Sequence, residues 1–245
     1  MKRENTIKNF VKKREKEEKV LIFDSGALIS LSMAGLLDIL KDIKKIFNGK
    51  FLVTREVKNE ILDEPIKNKK FELEALRMKN LFDLKVLELP SVLNLNEKEI
   101  SEYAIEIMEL ANTSFKGDNK DIHLLDIGEC SCLALSNILT KNGIKNLLVI
   151  DERTTRMLVE SHENLRFFLE RKLHVKITIN HANVGFFKNF KVIRSTELIY
   201  VAYKKGLIDM KDGSLVLDAL LYALKFKGAS ISFEEIEEIK RLEKL

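Results

Sequence analysis

NLLVID, residues 146–151, is the clearest buried strand in the chain: a short, almost unbroken apolar run that stops at an acid, Asp151. The same grammar occurs at VLIF (20–23), which ends in Asp24 and leads through Ser25-Gly26-Ala27 into a helical pattern. There Leu36, Leu37, Leu40, Ile43 and Phe47 recur at spacings of three and four until Asn48-Gly49 stops them. Residues 51–53 can form a second strand, with Thr54 placed to cap a helix that carries Glu56 and Glu60 four apart. Residues 63–83 are charged and helical in pattern, and LKVLEL (84–89) reads as a strand. A helix over 97–111 turns Ile100, Ala104, Ile107 and Met108 inward, residues 112–121 (NTSFKGDNKD) read as a loop, and a helix over 127–140 follows. Beyond the central strand the pattern predicts a helix over 154–170, strands at 175–179 and 191–193, and a helix over 196–205 ending at Gly206. Two more helices close the chain, over 213–225 and after Ser232, which makes a capping box with Glu235. Strands alternating with helices imply an α/β protein with a central parallel sheet flanked by helices, plus C-terminal helices.

The 245 residues carry 42 Lys and Arg against 38 Asp and Glu, with 45% apolar side chains and only 2 Pro, which excludes disorder and collagen-like repeats. The 13 uncharged residues from 25 to 37 form the longest such run, short of the roughly 20 that a membrane-spanning helix needs. The first 19 residues hold 8 of the cations against 4 Glu, so the remaining 34 and 34 balance. They lack an apolar core and a cleavage site, so no signal peptide, no membrane and a cytoplasmic location are expected. Residues 1–18 are expected to be a solvated basic tail with Ile7, Phe10 and Val11 on one side, the alternative being an RNA-contacting arm. Cys130 and Cys132 have the wrong spacing for a redox or zinc pair, and the four His form no cluster. Both cysteines are expected to be packing residues, and His181 a loop residue.

In open α/β sheets, ligands bind beyond the carboxyl ends of the strands. Asp24 and Asp151 occupy two such ends; each alone could cap the following helix, but together they point to a site. Glu60, or Glu56 one turn earlier, can join them, as can Glu129, whose neighbours Gly128, Cys130 and Ser131 are small enough for close approach. Carboxylates within about 4 Å of one another repel by roughly 4 kcal/mol at an effective dielectric near 20. Protons or cations relieve that, and an all-oxygen ligand set favours Mg²⁺ or Mn²⁺, whose usual chemistry is attack of activated water on a phosphodiester. Arg153 and Arg156 flank Asp151 at a helix N-terminus and fit phosphate contact, the alternative being ion pairs with Glu152 or Glu160. Arg194, Ser195 and Thr196 end the last strand and can reach the same rim. No GxxxxGK[ST] or GxGxxG is present, and Gly26 stands where a haloacid-type phosphatase has its second Asp.

Four segments together, the strand ending in Asp24-Ser25-Gly26-Ala27, EVKNEI (56–61), GECSCLALS (128–136) and LLVIDERTTR (147–156), resemble PIN domains, a family of small metal-dependent nucleases. FKVIRSTELIYVAYKKGLI (190–208) is similar to the last strand and helix of larger prokaryotic members. The resemblance covers about residues 18–205 and implies a three-layer sandwich over 19–210, a helical insertion at about 63–121 and a C-terminal helical extension over 211–245. It implies an acidic catalytic pocket of Asp24, Glu60, Glu129 and Asp151, with Asp24, Glu129 and Asp151 as Mg²⁺ or Mn²⁺ ligands. Ser25, Glu152, Arg153, Arg156 and Thr196 would then support the site or contact phosphate. The implied activity is endoribonuclease cleavage of RNA; the implied partners are RNA, a second copy of the chain in a homodimer, and an antitoxin-like inhibitor of a toxin–antitoxin pair. The insertion and the last 35 residues depart from the family's short toxins. The alternative function is a non-catalytic RNA- or protein-binding module of the same fold acting in RNA processing.

Overall fold

The structure is a computed structural model that describes residues 19–211 and 213–243; the basic tail lies outside the described residues. Its centre is a four-stranded, all-parallel sheet of β1 (Lys19–Phe23), β2 (Lys50–Leu52), β5 (Lys145–Val149) and β7 (Val192–Ile193), in the order β2-β1-β5-β7. Val20, Ile22 and Phe23 of β1 are almost fully buried, as a strand covered on both faces requires. The Phe23 and Phe51 rings meet at 5.3 Å between centroids. Gly49 permits the tight approach to β1 that begins β2, because a Cβ there would lie 2.1 Å from the Lys19 carbonyl oxygen.

After β1 come α1 (Ser25–Met33) and α2 (Leu37–Ile46), and after β2 come α3 (Arg55–Lys58), a π-helical turn (Asn59–Asp63) and α4 (Glu72–Asp83). The chain continues through α5 (Glu97–Asn112) and α6 (Ile127–Lys141) to β5, then α7 (Arg153–Glu160) and α8 (His162–Leu173). A short α9 (His181–Val184) precedes β7, and α10 (Ser195–Lys204), α11 (Ser214–Phe226) and α12 (Phe233–Glu243) close the chain. Helices α1, α2 and α10 pack on one another, as do α3, α5 and α6. The chain moves from β1 one way to β2 and then back past β1 to β5, and right-handed crossovers send such groups to opposite faces.

Most expected elements are present, and Thr54 caps α3 by accepting the Val57 N–H at 3.3 Å. Four differ. The 84–89 stretch only touches the sheet: Glu88 N–H donates to Phe51 O at 2.9 Å and Val53 N–H to Glu88 O at 3.0 Å, with no strand beyond that bridge. The 112–121 loop holds β3 (Phe115–Gly117) and β4 (Lys120–Asp121), joined through Asp118 and Asn119, both at positive φ. The third strand of that antiparallel sheet is β6 (Ile177–Ile179), so the 175–179 run belongs outside the parallel sheet. The helix expected over 154–170 is two, because Ser161 adopts an extended backbone and caps α8 through the Asn164 N–H.

The C-terminal capping box is present: Ser232 N–H donates to Glu235 Oε2 at 2.7 Å and Glu235 N–H to Ser232 Oγ at 3.1 Å. Leu217, Leu221, Ile231, Ile236 and Ile239 form a small cluster of their own, while Val216, Leu220 and Leu224 of α11 join the main core. The extension is therefore welded to the sheet domain. Among the described residues no helix is long and apolar enough to cross a membrane.

Candidate functional site

The order of the sheet fixes where the acids meet. Strand β1 pairs with β5, Phe23 opposite Val149, and the Asp24 N–H continues the ladder to the Val149 carbonyl at 3.1 Å. Connections from these two strands leave in opposite directions, the arrangement that in open α/β sheets places ligands beyond the carboxyl ends, where Asp24 and Asp151 lie buried.

Asp24 caps α1. Its Oδ2 accepts the Gly26 N–H at 3.1 Å, whereas Oδ1 is buried and has no partner. Burial pushes this carboxyl from the ordinary 3.8 up to about 8; the Glu129 charge and then that of Glu60 push the same way, against the Gly26 hydrogen bond. The site therefore demands positive charge or a proton at an oxygen that the protein leaves unsatisfied.

Glu60 reaches the site from the π-helical turn after α3, a wide turn of the kind that re-aims side chains at functional positions. Its carboxylate rests on Gly128 of α6, where an added Cβ would lie 2.5 Å from Oε1. Partial burial raises its proton affinity, while a hydrogen bond from the Ser25 hydroxyl lowers it. Glu56 points elsewhere and is held by the Ser101 hydroxyl of α5. Of the two acids one turn apart, Glu60 is the one whose field Asp24 feels.

Glu129 stands in the first turn of α6, and its Oε2 accepts the Asp126 N–H at 3.1 Å. Burial holds its carboxyl above 4.5, reinforced by the charge of Glu152. Helix α6 is anchored from behind by a buried Thr54–Ser131 hydroxyl pair at 2.6 Å. Cys132, fully buried, directs its thiol to the Phe23 carbonyl at 3.7 Å, and its proton is held by burial and by the fields of Asp24, Glu129 and Glu60. Neither cysteine is paired, and both are packing residues.

Asp151 is occupied differently. One oxygen accepts the Ser195 N–H and the other the Ser195 hydroxyl, both at 2.7 Å, tying the end of β5 to the first turn of α10. Glu152 caps α7 by accepting the Thr155 N–H at 2.6 Å. Arg153 lies over the Phe168 ring, 4.8 Å from its centroid. Arg156 is buried, with one terminal nitrogen donating to the Ser230 carbonyl at 2.8 Å and Nε unpartnered. Neither arginine forms the alternative ion pair with Glu152 or Glu160 among the described residues. Arg194 is committed to Glu197 and to Glu235. Thr196 is fully buried with an unpartnered hydroxyl, away from any open rim. His181 begins α9 and is exposed.

The structure thus brings Asp24, Glu60 and Glu129 into one electrostatic neighbourhood, with Asp151 on the adjacent strand. Among the described residues, no three His, Cys, Asp or Glu side chains converge closely enough to hold one metal ion. The reason is visible in their partners: Glu129 is turned to Asp126 N–H, Glu60 to Ser25 and Asp151 to Ser195. No protein-family model, curated protein or solved structure matches the chain.

Proposed function

We propose that this protein is a Mg²⁺- or Mn²⁺-dependent endoribonuclease of the PIN type, with its site at the carboxyl ends of β1 and β5. The observation that carries the proposal is Asp24: a buried carboxyl with one oxygen unpartnered, pushed to about 8 beside two further acids. A hard divalent cation is the species such a donor set accepts. Asp24 and Glu129, with Glu60 beside them, would hold it once Glu129 turns from the Asp126 N–H. When bound, the ion supplies Lewis acidity toward a phosphodiester. Ser25 orients Glu60, and the Asp151–Ser195 clamp fixes the α10 side of the crevice. Burial raises the Asp24 carboxyl to about 8, so at neutral pH a bound cation would take the place of a proton there. The RNA substrate and the sandwich architecture of this reading rest on the sequence resemblance; the parallel sheet and the placement of the acids support it.

Cleavage of a mixed RNA pool in Mn²⁺ tests this reading. Activity should fall at least about 100-fold in Asp24→Asn, the scale set by loss of a transition-state contact. Cleavage persisting in both Asp24→Asn and Asp151→Asn overturns it. One observation favours the non-catalytic alternative: all four acids already accept hydrogen bonds from the protein. Under that alternative the wild type binds no divalent ion.

A further inference from the structure

A groove of about 430 Å³ lies between α1, the π-helical turn and α4, with Glu60 in its wall. Its lining is mostly apolar: Ile29 and Met33 of α1, Ile61 of the turn, Met78 of α4, and Phe71 just before α4. Three of these large side chains stay open to solvent, Met33 (54%), Phe71 (44%) and Ile29 (41%). Ser32 lines the same groove; it is 4% exposed, and its hydroxyl is buried with no hydrogen-bond partner. A contiguous apolar slot with an orphaned polar atom in its wall marks a surface that something covers.

The polar lining sets the charge of the occupant. Glu60 and Glu74 face one cation among the lining residues, Lys70, whose ammonium lies over the Phe71 ring, 5.0 Å from its centroid. Neither Glu60 nor Glu74 forms an ion pair among the described residues, and Glu60 also feels the negative charges of Asp126 and Glu56. An apolar segment edged with cations therefore fits, and the chain carries one. In residues 7–14, IKNFVKKR, Ile7, Phe10 and Val11 recur at spacings of three and four, the pattern of groove anchors, with four cations and no acid in the stretch. The whole cationic excess of the chain lies in its first 19 residues, since the remaining 34 and 34 balance. Reach permits the contact: the eight residues from Val11 to Lys19 can extend over about 26 Å, against the roughly 13 Å that β1 covers on its way to Asp24.

We infer that this groove is the docking site of the chain's own residues 7–14: Ile7, Phe10 and Val11 enter between α1 and α4, and the lysines beside them meet Glu74 and Glu60. The basic tail is then an arm that shields the Glu60 side of the acids. Neither the groove nor the charge of the segment depends on the ribonuclease reading.

The chain has no Trp, so Phe71→Trp in the full chain places a single fluorescent reporter in the groove. Its emission should be blue-shifted and protected from acrylamide. Adding Phe10→Asp should shift it to the red and expose it, because losing one buried Phe side chain lowers the docked-to-free ratio at least about tenfold. Glu74→Lys should act in the same direction. A second measurement leaves every anchor and the groove wall intact: Asn9→Cys with Lys70→Cys, treated with a short bismaleimide, should link within one chain, while Cys130 and Cys132 stay buried and unreactive, and Phe10→Asp should abolish the link. Reporter emission indifferent to Phe10→Asp, a link found only between two chains, as when a second copy fills the groove, or no link at all, as when a separate partner does, overturns the inference. Neither assay uses metal or RNA, so its failure is distinct from failure of the ribonuclease reading.

Discussion

Replacing Asp24 by Asn removes the most perturbed carboxyl in the site, and the consequence for stability follows from its surroundings. The folded protein holds this proton to about pH 8, whereas an unfolded chain releases it near 3.8. The native state therefore binds more protons than the unfolded state between those values. Stability contributed by this group is complete below about pH 4 and declines as pH rises toward 8. By pH 7 the decline amounts to about 4 kcal/mol, and at pH 5 to about 2 kcal/mol, at about 1.4 kcal/mol for each pH unit. Asparagine avoids that loss and its carbonyl can still accept the Gly26 N–H, but it buries an unpartnered amide group in place of Oδ1, at about 1–3 kcal/mol. The balance is near zero or unfavourable at pH 5 and favourable by about 1–3 kcal/mol at pH 7. In thermal unfolding with EDTA, Asp24→Asn should melt no higher than wild type at pH 5 and about 3–10 °C higher at pH 7–8. A difference in Tm that stays constant between pH 5 and pH 8 would refute the reasoning.

Asp151 has both oxygens taken by Ser195. Ser195→Ala strips a 2.7 Å hydrogen bond from a buried carboxylate and should lower stability by about 1–3 kcal/mol in urea titrations. Asp151→Asn, whose amide can donate back to the Ser195 oxygen, should cost less than Ser195→Ala, and the reverse ranking would contradict the clamp. Gly128→Ala places a Cβ 2.5 Å from Glu60 Oε1. A flexible carboxylate can move aside, so Tm should hold or rise, as helical alanine favours, while Mn²⁺ affinity falls about tenfold; unchanged affinity would remove Glu60 from the site.

The strands carrying Asp24 and Asp151 were legible because each is a short apolar run that stops at an acid; their adjacency was not, since alternation implies a parallel sheet without fixing the order β2-β1-β5-β7. Glu129 was legible through its small neighbours, and Gly128 does provide the close approach. The choice between Glu56 and Glu60 was not legible, since an ideal helix puts them on one face. The π-helical turn and Ser101 separate them, and neither effect appears in apolar spacing. The β3–β4 hairpin was hidden because Asn119 and Gly117 read as loop formers and the pairing partner, β6, lies some sixty residues later. Arg153 and Arg156 were expected at phosphates or glutamates; their contacts with Phe168 and the Ser230 carbonyl depend on a helix and a C-terminal turn that local sequence does not specify.

We propose that Asp24 is a cation site whose raised carboxyl would give up a proton to a metal. Calorimetric titration of Mn²⁺ at pH 7, repeated in two buffers of different ionisation enthalpy, tests it most directly. With Asp24 at about 8, binding should release about 0.9 proton for each ion, fewer than half as many at pH 9, and both binding and release should disappear in Asp24→Asn. Absence of Mn²⁺ heat in the wild type, or binding without proton release that survives Asp24→Asn, would contradict it.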